Sequence, residues 1–231
     1  MSKWVRASVG VVVVFLVFGV GVGVVGAQDG TDEGADGPTV YFGSDDGTLY
    51  AVDAETGETE WEFAEPEGRV TASPVVVDGT VYVGDWNGTV YAVDAETGEN
   101  EWEFTEPDSD LFSAVTVVDG TAYVGSQEGF DGAVYALDTE TGETEWEFTE
   151  PESQVPSAPV VVDDTVFAGS TDGTLYAVDS DTGENAWSFE TANDSVVSSP
   201  TVAGGNVFFG SLNETVYAVD AETGEKEWEL G

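Results

Sequence analysis

One eleven-residue segment occurs five times in this chain, and that repetition limits the fold more than any other feature. AVDAETGETEW at 51–61 returns as AVDAETGENEW (92–102), ALDTETGETEW (136–146), AVDSDTGENAW (177–187) and AVDAETGEKEW (218–228). Its tryptophans, Trp61, Trp102, Trp146, Trp187 and Trp228, are spaced by 41, 44, 41 and 41 residues. A second register agrees: VYFG, VYVG, AYVG, VFAG and VFFG end at Gly43, Gly84, Gly125, Gly169 and Gly210. The extra residues of the long interval fall in SQEGFDG, between Gly125 and Asp138. A unit of about 40 residues buries its apolar faces only by stacking on copies of itself.

Each unit reads as four short strands, A to D. In the second unit they are expected at Val70–Val77, Thr80–Gly84, Thr89–Asp94 and Glu99–Thr105. Asp78-Gly79 turns A into B, Asp85-Trp86-Asn87-Gly88 turns B into C, and Ala95-Glu96-Thr97-Gly98 turns C into D. In strand D, Trp102 and Phe104 alternate with Glu101 and Glu103, a period of two rather than 3.6. Four-stranded units repeated around an axis form an all-β β-propeller. Five blades are expected, the first lacking its inner strand A. The repeat enters at Thr39 in strand B, nothing follows the last strand D to complete it, and the acidic linker 28–38 (QDGTDEGADGP) is too polar to serve. A bare inner edge would invite self-association through the first blade.

Charge narrows the chemistry. The chain has 47 acidic and 4 basic residues, a formal charge of −43, and no His or Cys. This excludes disulfides, Cys or His metal sites, c-type haem and nucleophiles activated by histidine. Nucleic acid is excluded as a partner, because its phosphates need Lys and Arg. With 41% hydrophobic and 12% aromatic residues a core is available, so disorder is not expected. An acidic but core-rich chain fits a protein adapted to molar salt, where counterions screen self-repulsion.

The pattern SPVVVDGTVYVG (73–84), continued by Asn87-Gly88-Thr89, VYA, Asp94, Thr97-Gly98 and Trp102, resembles the pyrroloquinoline-quinone-type propeller repeat. The spacing Ala-x-Asp-x-x-Thr-Gly-x-x-x-Trp is similar to that family's tryptophan-docking motif, and the repeats cover residues 39–231. The resemblance implies that Ala and Trp of one motif stack with Gly of a neighbour to lock adjacent blades. It assigns that structural role to Ala51, Gly57 and Trp61; Ala92, Gly98 and Trp102; Ala136, Gly142 and Trp146; Ala177, Gly183 and Trp187; and Ala218, Gly224 and Trp228. The family's quinone-dependent dehydrogenases use a larger ring of eight blades, a calcium ion, often a vicinal disulfide, and an aspartate base. Here there are five repeats, no cysteine, and no aspartate distinct from its counterparts. No catalytic residue, cofactor site or metal site is therefore expected. Asp45-Asp46-Gly47, Asp108-Ser109-Asp110 and Asp179-Ser180-Asp181 read as solvated turns rather than calcium loops. The non-enzymatic members, including the lipoprotein that assists outer-membrane assembly in bacteria by binding proteins, are more similar.

The N-terminus is set apart. Lys3 and Arg6 precede an uncharged run from Ala7 to Ala27 that ends in Val25-Gly26-Ala27. Residues 1–27 read as a signal peptide cleaved after Ala27 or as an uncleaved membrane anchor. Both place the repeats outside the cell or on its surface, with no other membrane contact.

Comparison of the five units separates their two rims. The C–D turn barely varies (DAETGE, DAETGE, DTETGE, DSDTGE, DAETGE), whereas the B–C turns and D–A connections differ in every unit. Antiparallel alternation collects these variable loops on one rim. That rim carries Trp86, Leu111, Phe112, Phe130, Val155 and Leu212, together with Arg69. Trp86 has no aromatic counterpart in other repeats, and Phe130 lies in the unique insertion. Glycosylation sequons stand at Asn87, Asn193 and Asn213. The reading is a cell-surface or secreted protein-interaction scaffold whose envelope partner meets this rim. The alternatives are a subunit or fragment of a larger propeller, and a relative of the quinone-dependent dehydrogenases; free drift of loop sequence is the competing account of the variation.

All 47 acidic residues lie in residues 28–231, beside only Arg69 and Lys226. The fold is accordingly expected to require molar salt. Circular dichroism and tryptophan fluorescence should show loss of the β signal as KCl falls to roughly 50 mM, where screening reaches only beyond 10 Å. An unchanged β spectrum at that salt would refute the adaptation.

Overall fold

Valine, threonine and aromatic residues fill the segments between the glycine turns, and such residues favour a pleated, half-buried backbone. The computed structural model of the chain describes residues 24–28, 38–105, 109–110, 113–128, 132–191 and 194–231, and none of these is helical. Blade 1 comprises β1 (Val24–Gln28), β2 (Thr39–Gly43), β3 (Leu49–Asp53) and β4 (Thr59–Phe63). Blade 2 comprises β5 (Val75–Val77), β6 (Thr80–Gly84), β7 (Thr89–Asp94) and β8 (Asn100–Thr105). A short strand β9 (Ser109–Asp110) precedes blade 3, which holds β10 (Thr116–Val118), β11 (Thr121–Gly125), β13 (Val134–Asp138) and β14 (Thr144–Phe148), with β12 (Gln127–Glu128) between β11 and β13. Blade 4 is β15 (Val160–Val162), β16 (Thr165–Gly169), β17 (Thr174–Asp179) and β18 (Asn185–Glu190). Blade 5 is β19 (Thr201–Ala203), β20 (Asn206–Ser211), β21 (Thr215–Asp220) and β22 (Lys226–Leu230). Every blade is an antiparallel sheet with its strands in chain order. The inner strands β1, β5, β10, β15 and β19 neighbour one another in that sequence.

The turns follow from their residues. Asp78 and Gly79 both have positive φ, at 50° and 88°, as a two-residue hairpin turn between right-twisted strands requires. At the C–D turn, Asp94 Oδ1 accepts the Thr97 N–H and O–H at 2.7 and 2.8 Å, and Gly98 closes the turn at φ 72°. Asp138, Asp179 and Asp220 do the same with Thr141, Thr182 and Thr223. Each of these four carboxyl groups is held below the ordinary carboxylate range, chiefly by its threonine hydroxyl. A share of the acidic excess is thus bound into turns as hydrogen-bond acceptors.

The alternation expected of strand D holds from Glu101 to Phe104, with Trp102 and Phe104 turned inward and Glu101 and Glu103 exposed, and a bulge sits at its start. The pairing runs Ala92↔Trp102 and then Val93↔Asn100, so Glu101 is the additional residue of a β-bulge. Its carboxylate accepts the Thr80 hydroxyl at 2.8 Å. All five blades carry this bulge beside the docking tryptophan.

Apolar packing lies between blades. The Trp61 indole N–H of blade 1 donates to the Ala95 carbonyl of blade 2 at 3.0 Å. Trp102, Trp146 and Trp187 donate likewise to Thr139, Ser180 and Ala221 at 2.8, 2.8 and 3.2 Å. Each indole covers the C–D glycine of the next blade: a Cβ on Gly98, Gly142, Gly183 or Gly224 would come within 2.6–2.8 Å of Trp61, Trp102, Trp146 or Trp187. Four hydrophobic clusters form, one per junction; the first joins Tyr41, Leu49, Ala51 and Phe63 to Val81, Val83, Tyr91 and Val93. Tyr41 donates its hydroxyl to the same Ala95 carbonyl at 3.0 Å. Burial, reinforced by the Glu60 carboxylate, pushes its pKa up to about 12, so the proton of this bond persists well above neutrality.

Two expectations change. Strand A is three residues long rather than Val70–Val77, since Pro74 offers no N–H to a ladder and the Val70 N–H bonds to the Ser44 carbonyl. Nor is the first blade three-stranded: Val24–Gln28 pairs antiparallel with β2, with Ala27 opposite Val40 and Gln28 opposite Thr39. Backbone pairing satisfies the edge that would otherwise lie bare. This strand overlaps the end of the apolar N-terminal run, so cleavage after Ala27 would cut through it. The remainder of that run, residues 1–23, and most of the linker lie outside the described residues.

Gly57 and Gly142 have nearly the same φ, 72° and 70°, but only Gly142 is covered by an indole. Alanine at either site costs about 1 kcal/mol for the left-handed backbone. At Gly142 it also meets Trp102 at 2.7 Å, which adds about 1–3 kcal/mol of overpacking. Chemical denaturation of dilute protein in molar salt should rank Gly142→Ala clearly below Gly57→Ala, and equal losses would contradict the packing described.

Candidate functional site

The rim of B–C turns and D–A connections is held together by backbone hydrogen bonds. Three of the connections each link two neighbouring turns. Arg69 accepts the Trp86 N–H through its carbonyl, while Val70 N–H donates to Ser44 of the preceding blade. Gln154 and Val155 join Thr171 to Ser126, and Ser195 and Val196 join Leu212 to Ser170, in the same manner. Trp86, Thr171 and Leu212 therefore occupy one register position, and their side chains distinguish the blades.

At blade 2 the turn is built around Asp85. This buried carboxylate accepts the N–H groups of Gly68, Asn87 and Thr89 at 3.0–3.1 Å. Trp86 stands at the tip, 38% exposed, with its indole N–H donating to the Thr71 hydroxyl. The Arg69 guanidinium lies 5.3 Å from the ring centroid, within cation–π range. The large side chain is thus fixed in place while one side faces solvent. Leu212, at 63% exposure, projects from the same rim of blade 5.

At blade 3 the insertion adds structure of its own. Gln127–Glu128 pairs antiparallel with Ser109–Asp110, so the unique turn and the connection before the blade form a two-stranded ribbon. Phe130, Leu111 and Phe112, expected beside it, lie outside the described residues, as does Asn193. Asn87 is exposed next to Trp86. Asn213 uses its side chain within its turn, donating to Tyr217 Oη at 2.8 Å and accepting the Thr215 N–H at 3.0 Å.

Val155 does not belong to this exposed set. It is 1% exposed, and its Cγ1 lies against Gly125, where a Cβ would come within 2.9 Å. Val70 and Val196 close over Gly43 and Gly169 in the same way. At these three junctions the valines plug one blade onto its predecessor, a role sequence reasoning missed. Its signal is an apolar residue at a fixed place before strand A. Ser113, Ser157 and Ser198 were missed too. Each Oγ accepts the N–H and donates to the carbonyl of a strand-B glycine, twelve residues on.

On the opposite rim, clefts of about 220 and about 500 Å³ lie at two blade junctions, each with a Thr–Tyr–Glu set such as Thr121, Tyr123 and Glu145. They follow the repeat rather than mark one dedicated pocket. Among the described residues, no three acidic side chains converge to hold a metal ion. Asp46 and Asp179 spend their carboxylates on their own turns, through Thr48 and Tyr50 and through Asp181 and Thr182. No helix of the described residues is long and apolar enough to cross a membrane.

The family model described as outer membrane protein assembly factor BamB matches residues 20–149 and 130–231. The chain belongs to that family. The match begins upstream of β1, in agreement with Val24–Gln28 as a blade strand. BamB from Moraxella catarrhalis superposes with a TM-score of 0.73 at 25% identity, over 87% of this chain and 62% of that one. The computationally designed Ika8 protein gives 0.74 at 22% identity, over 83% and 58%. Quinohemoprotein alcohol dehydrogenase from Comamonas testosteroni gives 0.72 at 17%, over 84% and 41%. The last two likenesses show the propeller fold alone. Measured against BamB, this chain of the family spans less than two thirds of its relative's length. No curated protein matches the chain significantly.

Proposed function

We propose that this member of the BamB family is an exported or cell-surface interaction scaffold without catalytic activity, and that its B–C and D–A rim receives a protein partner at the envelope. One observation carries the reading: the features that break the repeat collect on that rim. Trp86 held by Arg69 and Thr71, the exposed Leu212, and the added ribbon at 109–110 and 127–128 all lie there, while the other rim repeats the same turn five times. An immobilised, partly exposed tryptophan beside an arginine is the kind of anchor that dominates protein interfaces. The family's description as an assembly factor supports an envelope role. Membrane contact is assigned only to the N-terminal segment, through a cleaved signal or a retained anchor, and nucleic acid is not a partner.

A second reading has its own support. The chain spans 62% and 58% of two structural neighbours, which fits a subunit or fragment of a larger propeller.

Affinity capture from the native host in high salt tests the proposal. Trp86→Ala and Phe130→Ala should keep the wild-type circular dichroism and lose the partner. Binding should weaken by about thirtyfold or more for Trp86→Ala, the scale of a lost interface anchor. Two folded variants that retain every wild-type partner would place the site elsewhere.

A further inference from the structure

Blade junctions in this chain have a direction. At each of the four, the earlier blade supplies the indole, and the later blade supplies the glycine and the accepting carbonyl. Five repeats carry five indoles and five seats, and one of each is unmatched among the described residues. The unmatched indole is Trp228, 45% exposed against 8% for Trp146. Beside it Val216 and Leu230 are exposed, where their blade 3 counterparts Val134 and Phe148 are buried. The unmatched seat is in blade 1. A Cβ on Gly57 would meet nothing within 4 Å, and Ala54 is exposed whereas its counterpart Ala95 is buried. The valine plug shows the same gap: Gly210 is approached only by Ser198 of its own blade.

We propose that these two faces are the halves of one interface, and that each is filled by the opposite face of a second copy of this chain. Trp228 of one copy seats over Gly57 of the next and donates its indole N–H to the Ala54 carbonyl. The occupant follows from complementarity already present in the molecule, since four internal junctions join the same residue types in the same register. The described residues hold both halves but do not bring them together. The two faces differ, so the contact is heterologous: copies add head to tail, into a string or a closed ring. Molar salt, which screens the acidic rims, favours the contact. The inference does not depend on any partner at the B–C and D–A rim.

Sedimentation velocity of the full chain in molar KCl is the test, with Trp228→Arg and Ala54→Arg as variants at exposed positions. The wild type should assemble with rising concentration. Each variant alone should stay monomeric, its dissociation constant raised by about thirtyfold or more. An equimolar mixture should recover a dimer and nothing larger, because it holds one intact indole face and one intact seat. A wild type that is monomeric throughout, a single variant that assembles as the wild type does, or a mixture of folded variants that stays monomeric would each overturn the proposal. Radical footprinting of the wild type gives a readout free of substitutions. Trp228 oxidation should fall as assembly proceeds, with Trp86 as the constant reference, and unchanged Trp228 oxidation across that range would place the contact elsewhere.

Discussion

A tryptophan seated on a bare glycine backbone governs how this molecule is put together. The indole needs a flat apolar surface and an acceptor for its N–H, and the C–D turn of the next blade supplies both. Glycine is required there twice over: its φ is near 70°, and any side chain would run into the ring. The bulge in strand D accompanies this seat in every blade, and so does the aspartate that ties the turn. Conservation of the DAETGE-type turn among the chain's own repeats is therefore a packing demand, and the other rim is released to vary.

The same arrangement reconciles a strongly acidic chain with a folded one. Apolar residues are spent at the four junctions, where alternate strand positions close against the neighbouring blade. Carboxylates sit at rims and outer edges. Many of them accept hydrogen bonds from backbone N–H groups or from threonine: Asp94 in its turn, Asp85 beneath Trp86, and Glu101 at the bulge. Their charge remains a long-range burden in dilute buffer.

The blades, their number and their turns were legible because Trp, Gly and Asp recur at fixed spacings. The resemblance places the indoles of Trp61, Trp102, Trp146 and Trp187 on their glycines, but Gly57 and Trp228, given the same role, are uncovered and exposed. Strand A was misread because valine looks the same in a ladder and in a plug; Val70 and Val155 became plugs only once Gly43 and Gly125 stood opposite them. The inner strand of blade 1 was missed because Val24 and Val25 read equally well as the end of an apolar export run, and only pairing with β2 distinguishes the two. The exposure of Trp228 could not be read at all. Its motif is identical in kind to the other four, and what differs is whether a neighbour is present. At the candidate rim, the sequence singled out Trp86 through its lack of counterparts. It could not show that Arg69 and Thr71 hold the ring, since those contacts depend on the connection folding back beside the turn.

The blades form a row joined by four indole seats, with the outer faces of blades 1 and 5 unmatched among the described residues. Amide hydrogen exchange of dilute protein in molar salt, resolved by peptide, tests it most directly. The β22 segment, whose five residues are all exposed, should lose protection well before β8, β14 and β18, whose tryptophans are seated. Equal protection of β22 and these strands in a monomer would mean that Trp228 is locked within the chain, and would contradict the account.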